Sequence, residues 1–162
     1  MKKKDLILTI ILILTDRITK VLATKFINYL EVIDIIKNKF YLTYVTNTGS
    51  AFSLFEGKRW LLIIISLIVL YFLISYYKKL DEKASKISII LIISGLIGNL
   101  IDRVVFGKVI DFIGIVIFKY YFPIFNLADT YVVFGVIILI ISMIGSDNSE
   151  RINSRRRHWK TR

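Results

Sequence analysis

The 162-residue sequence has no cysteine, one proline and one histidine, and it is short of acid. Without cysteine there can be no disulfide, thiolate metal site or cysteine nucleophile. The histidine, His158, sits in a terminal run with Arg155, Arg156, Arg157 and Lys160, where a solvated side chain is the expected reading. Zinc chemistry and a histidine-dependent serine triad are therefore set aside, and no metal or other cofactor is expected. Only 12 Asp and Glu stand against 23 Lys and Arg, a formal net charge of +11. That surplus raises nucleic acid as a partner, but the bases gather at the N-terminus, in one middle loop and in the C-terminal tail. This is the distribution of charges that orient a chain in a membrane, so no nucleic-acid partner is expected.

What is abundant is apolar: 56% of residues are hydrophobic, above the share of ordinary soluble domains. Three long apolar runs, Trp60 to Tyr77, Ile87 to Ile101 and Leu127 to Ile144, are each close to the length a helix needs to cross a bilayer, and Pro123 interrupts none of them. A fourth run, Leu6 to Leu14, is too short alone and continues as a helix only through Asp16, Arg17 and Lys20 toward Phe26. Lys2, Lys3 and Lys4 before it also fit a cleaved signal peptide, but no small-residue cleavage pattern follows the core, and a first membrane helix is the better reading. Basic residues at the N-terminus, at Lys78, Lys79, Lys83 and Lys86, and in the tail place these three segments together on the cytoplasmic side. The expected architecture is thus an integral membrane, mainly α protein: four transmembrane helices with a small extracytoplasmic β-structure. A transmembrane domain over 1–145 includes outer segments 27–58 and 104–125, and 146–162 form a basic cytoplasmic tail, flexible or in contact with anionic lipid. Strands are expected within Phe40 to Phe55, rich in aromatic and β-branched residues and broken by turn chemistry at Asn47 to Gly49, and a further stretch at Val109 to Tyr121 has similar composition.

Depth gives the polar residues meaning. At roughly 1.5 Å of rise per residue, Asp16 lies about 18 Å and Lys20 about 24 Å above Lys4, while Asn99 and Arg103 stand about 20 and 26 Å above Lys86. Asp129 reaches a similar level, about 24 Å above Gly145. Asp16 and Lys20, like Asn99 and Arg103, are spaced four apart and share a helix face. The outer segments bring Asn47, Asp111 and Asn126 to the same level. Single pairs such as Asp16 with Arg17 or Lys20, or Asp102 with Arg103, can be structural ion pairs, and Arg17 and Asp102 fit that role best. The whole set at one depth points to a functional site.

The motifs DRITK (16–20), NTGSAF (47–52), GNLIDR (98–103), VIDF (109–112) and FNLADT (125–130) resemble, in order, those of the lipoprotein signal peptidase family, also called signal peptidase II. The resemblance implies an aspartic endopeptidase of the bacterial cytoplasmic membrane. It would cut prolipoproteins just before a cysteine carrying a diacylglyceryl group. It implies Asp111 and Asp129 as the catalytic pair, with Asp16, Lys20, Asn47, Gly49, Asn99, Asp102, Arg103 and Asn126 binding substrate or supporting the pair. The implied partners are diacylglyceryl-modified prolipoproteins and membrane lipids; a monomer is expected, with both termini cytoplasmic and the site near the outer face. Ser50, Ser94, Leu96 and Thr130 depart from the family's usual residues; Leu96 would tighten helix contact or narrow a substrate groove.

Chemistry without metal, cysteine or histidine leaves two engines for peptide hydrolysis: a carboxylate pair that activates water, or a serine (Ser50, Ser53 or Ser94) activated by Lys20. Two close aspartates cannot both ionise cheaply, so one keeps a proton and the roles of acid and base separate. Rival readings from other classes are a small ion or proton transporter and a non-catalytic membrane scaffold. Gly49, Ser50, Ala51, Gly95 and Gly98 are small enough for close backbone approach, by a substrate or by a neighbouring helix.

Overall fold

The computed structural model describes residues 2–49 and 54–160, with the backbone alone over 146–160; Ser50, Ala51 and Ser53 lie outside the described residues. In chain order the elements are α1 (Lys3–Phe26), β1 (Val32–Ile36), β2 (Phe40–Asn47), α2 (Arg59–Tyr77), α3 (Lys83–Phe106), β3 (Val109–Ile117), β4 (Tyr120–Tyr121) and α4 (Leu127–Lys160). Among the described residues three helical stretches are long and apolar enough to cross a membrane: Arg59–Tyr77, Lys83–Phe106 and Leu127–Gly145. α1 has the length, with 24 residues, but its charges keep it out of that set. α4 runs on as helix through the basic segment read from the sequence as a flexible extension.

α3 is the hub and packs against α1, α2 and α4. Its contact with α4 is close because Gly95 and Gly98 on α3 and Gly135 on α4 leave no room for a side chain. A Cβ on Gly95 would lie 2.2 Å from the Ala128 carbonyl oxygen, one on Gly98 2.6 Å from Asp16 Oδ2, and one on Gly135 2.7 Å from the Ser88 carbonyl oxygen. Small residues here serve helix packing, the usual route to tight association where lipid removes the hydrophobic drive between helices. The apolar core of this bundle is formed by Leu70 and Tyr77 of α2 with Ile89, Ile90, Ile92 and Ile93 of α3, and Leu96 packs on it. Leu96 thus tightens helix contact.

α1 is built the other way round. Its buried residues are Thr9, Asp16, Lys20 and Ala23, one stripe at helical spacing, whereas Leu6, Ile7, Ile10, Leu14, Ile18 and Val21 are exposed. A polar stripe faces the other helices and an aliphatic one faces outward.

The four strands form one antiparallel sheet in the order β1-β2-β3-β4. β1 lies outside the stretch in which strands were expected. All five of its residues, VIDII, are exposed, so no alternation marks it. The sheet closes over the end of α1 through Ala23, Ile27 and Phe112, with Leu42, Tyr44 and Ile113 around them. Gly114 on β3 is required by the Tyr41 ring from β2, which would lie 2.1 Å from any Cβ there. A bulge in the β2–β3 pairing between Leu42 and Val45 re-aims the strand ends, so that Val45 faces Asp111 and Asn47 faces Val109. Asn47 accepts the Gly49 N–H at 2.8 Å through its side-chain oxygen, the local turn chemistry that ends β2.

Candidate active site

The turn into α4 organises the site. Asn126 precedes the helix and its side-chain oxygen accepts the Asp129 N–H at 3.0 Å, while the Asp129 carboxylate reaches back to the Asn126 N–H at 3.2 Å. This reciprocal cap satisfies two of the donors a helix start leaves free and fixes the Asp129 rotamer at the positive end of the helix dipole. The Asn126 amide spans outward as well, donating to Asp111 Oδ1 at 2.6 Å and to Asn99 Oδ1 at 3.2 Å. One fully buried side chain thus ties the two aspartates and α3 together.

Each aspartate has a second support. Asp111 Oδ2 accepts from the Asn47 amide at 3.1 Å, and Asp129 Oδ1 accepts from the Asn99 amide at 2.7 Å. Asp111 is 2% exposed, whereas Asp129 is only partly buried, so the pair opens on the Asp129 side. Burial pushes the Asp111 carboxyl up to about 6, and the neighbouring Asp129 charge acts in the same direction against the amide hydrogen bonds.

Behind the pair lies an ionic group that involves α1 and α3. The Lys20 ammonium, with no exposed surface, makes ion pairs of 2.9 Å to Asp16 and 2.8 Å to Asp102 and donates to Asn99 Oδ1 at 3.0 Å. Two carboxylates and an amide oxygen thus surround one ammonium, although Asp102 Oδ2 is paired by charge alone and accepts no hydrogen bond among the described residues. Asp16 also accepts the Ala128 N–H at 3.0 Å, and Arg17 pairs with Asp102 at 3.1 Å while stacking over the Phe106 ring at 4.5 Å. Arg103 donates to the Gly49 carbonyl at 2.8 Å, holding the turn after β2 against α3. The Arg103 Nε is buried with no hydrogen-bond partner among the described residues.

All ten positions expected from the sequence lie in this one network. In the sequence Arg17 and Asp102 have the form of structural ion-pair members, and they do pair with each other, while Asp102 also pairs with Lys20 in the ionic group behind the aspartates. Two contacts went unread: the Ala128 N–H on Asp16 and the Thr15 hydroxyl on the Tyr131 hydroxyl at 2.9 Å. The first had no side-chain signal at all. Thr15 adjoins DRITK and Tyr131 adjoins FNLADT, so flanking polarity was the available clue to the second.

Charge decides what this arrangement can do. Asp16, Asp102, Asp111 and Asp129 face Arg17, Lys20 and Arg103, so the group carries one surplus negative charge if every carboxyl ionises. A low-dielectric site resists that charge, and one proton on the Asp111–Asp129 pair removes it. The Lys20 nitrogen is engaged by two carboxylates, at 2.9 and 2.8 Å, and by Asn99 at 3.0 Å. Ser94, one of the three serines weighed as a nucleophile activated by Lys20, is buried and donates to the Ile90 carbonyl at 2.7 Å. Among the described residues no three His, Cys, Asp or Glu side chains are grouped to hold a metal.

Comparison with known proteins follows the same outline. A family model described as signal peptidase (SPase) II matches residues 8–145. A lipoprotein signal peptidase of Clostridium tetani is 42% identical over 152 residues, covering 90% of this chain and 96% of its own. One from Halothermothrix orenii is 44% identical over 136 residues, covering 83% and 91%. Two solved structures described as bacterial membrane enzymes, determined in meso at 2.3 and 1.9 Å, superpose with TM-scores of 0.84 and 0.79 at 30% and 32% identity. The first alignment covers 92% of both chains, the second 88% of this chain and 94% of the other.

Proposed function

Because this chain belongs to the signal peptidase II family, a family of membrane enzymes that remove signal peptides from prolipoproteins, we propose that it does so as an aspartic endopeptidase with Asp111 and Asp129 as the catalytic pair. The observation that carries the reading is Asn126, which holds the Asp111 carboxylate through its side-chain amide and the Asp129 carboxylate through its backbone N–H, in one network whose charges balance with a single shared proton. The ionised member takes a proton from water, and the resulting hydroxide attacks the scissile carbonyl. The protonated member donates to the carbonyl oxygen as charge develops there, and the pair then returns a proton to the leaving amine. Asn99, Asn126 and Asn47 keep the carboxylates oriented.

The bond cut is the one just before a diacylglyceryl-modified cysteine. A site at the mouth of the bundle suits such a substrate: acyl chains stay in hydrocarbon while the peptide reaches polar groups and water. α1 is then the fourth crossing, with both termini cytoplasmic, the sheet on the outer side of the cytoplasmic membrane, and a monomer as the working unit. Its 24 residues rise about 36 Å, its outward stripe is aliphatic, and Asp16 and Lys20 are buried against the other helices and away from lipid.

Asp111→Asn and Asp129→Asn each abolish cleavage of a diacylglyceryl-modified proprotein by the purified protein, while melting in detergent stays cooperative. Retained cleavage in either variant would remove the aspartic mechanism. Equal cutting of the lipidated substrate and its unlipidated twin would remove the specificity.

A further inference from the structure

The sheet has a far end that the site does not use. β1–β2 and β3–β4 are hairpins whose turns lie side by side, since Phe40 pairs with Ile115 and the Val116 N–H donates to the Lys39 carbonyl at 2.8 Å. The second hairpin turns on Phe118 and Lys119, with φ of 48° and 66°. Two consecutive positive φ values define a type I′ turn, whose usual residues are Asn-Gly. A bulky phenylalanine in the left-handed region is strained. Packing within the chain does not offset it, because Phe118 is 100% exposed.

Its neighbours are of two kinds. Ile36, Ile117 and Tyr120 are also exposed, and Lys37, Lys39 and Lys119 stand exposed in the two turns. The chain's other exposed aliphatic residues lie mostly on helices that face lipid, and the tip repeats that chemistry with a ring of ammonium groups. Aromatic residues flanked by lysine suit the headgroup level of a bilayer, where rings sit at the boundary and ammonium groups meet phosphate. A second copy is a poor occupant, because an isologous contact would set the lysines of each tip against their equals.

We infer that the hairpin tip around Phe118 is a lipid-contact site, seating the ring at the acyl–headgroup boundary and Lys37, Lys39 and Lys119 on the phosphates of anionic phospholipids in the leaflet on the sheet's side. β2 and β3 carry Asn47 and Asp111 at their other ends. The lipid contact therefore fixes how the sheet lies over the site. Anionic lipid acts on substrate capture, and the effect falls on KM and not on kcat.

The absence of cysteine makes the test direct. In the full chain, Phe118→Cys carries a single nitroxide, compared in phosphatidylcholine–phosphatidylglycerol nanodiscs with labels at Ile65→Cys on the exposed face of α2 and Asp81→Cys in the loop between α2 and α3. The label at 118 collides with oxygen in preference to a water-soluble nickel chelate, as at 65. Accessibility matching 81, or dipolar broadening between copies, would overturn the inference. Converting Lys37, Lys39 and Lys119 together to Gln raises KM for a lipidated substrate at least ~3-fold in anionic bilayers and leaves activity in detergent micelles unchanged. An equal loss in micelles would assign the lysines to the substrate or to folding instead.

Discussion

α1 and α2 present similar faces to their surroundings and opposite faces to the protein. Both expose aliphatic side chains, Ile10, Leu14 and Ile18 on one and Ile64, Leu67 and Ile68 on the other. Inward, α2 buries Leu62, Ile63, Ser66 and Leu70, while α1 buries Thr9, Asp16, Lys20 and Ala23. Lipid tails are as apolar as leucine, so α2 is held mainly by shape and dispersion. α1 is held by ion pairs whose desolvation cost is offset only while every partner is present. A summed hydropathy cannot register this difference, because it averages the two faces of a helix. The helix that looks least like a membrane span is the one that brings the ionic base of the site into the bundle.

If that contrast is right, the two helices break differently. Lys20→Met leaves Asp16 and Asp102 buried without their common ammonium, and we expect a loss of about 3–5 kcal/mol together with loss of cleavage. Calorimetric melting in detergent measures the first, and adding Asp102→Asn should recover part of it. Asp111→Asn acts on the pH dependence. The Asp111 carboxyl, at about 6 when folded against an ordinary 3.8, makes the folded chain bind the extra proton. Its contribution to stability is therefore full below about pH 4 and is lost as the pH rises through about 6. The difference corresponds to at most about 3 kcal/mol, so the melting free energy of the parent should fall as the pH rises from about 4 through 6, and this fall should be absent in the asparagine variant, which remains inactive. On α2, Leu70→Ala opens a cavity and costs about 2 kcal/mol, with kcat/KM and its pH profile unchanged at temperatures where the protein is folded. Ile68→Ala, on the outward face of α2, should change the melting free energy by less than about 0.5 kcal/mol. A pH profile altered by Leu70→Ala would mean that the apolar bundle tunes the site and the contrast is too sharp.

Much of the site was legible because helix rise is a ruler. Asp16, Lys20, Asn99, Arg103 and Asp129 come to one level by counting residues, and their inward direction follows from the cost of turning charge to lipid. Asp111 was not reachable that way. It sits on a strand, and its place beside Asn126 depends on the pairing of Val45 with Asp111 across a bulge, a long-range contact that no local pattern encodes. β1 escaped because an edge strand exposed on both faces has no alternation. The role of Lys20 was hidden for a different reason: spacing suggested one partner, Asp16, whereas Asp102 and Asn99 come from another helix. Ser94 was a candidate by residue type alone, and its bond to the carbonyl four residues back is the ordinary fate of a helical serine.

On the proposed mechanism Asp111 and Asp129 hold one proton between them during cleavage. Infrared titration of the wild-type protein in nanodiscs, set beside kcat/KM over the same pH range, measures that proton by the carbonyl stretch of a protonated carboxylic acid. We expect one such acid per chain, lost together with activity as the pH rises, with a midpoint at about 6. The midpoint should move lower in Asp129→Asn, where the neighbouring charge is gone. No protonated carboxyl at any pH at which the wild type cuts, or an acid band unchanged in both Asp111→Asn and Asp129→Asn, would contradict that mechanism.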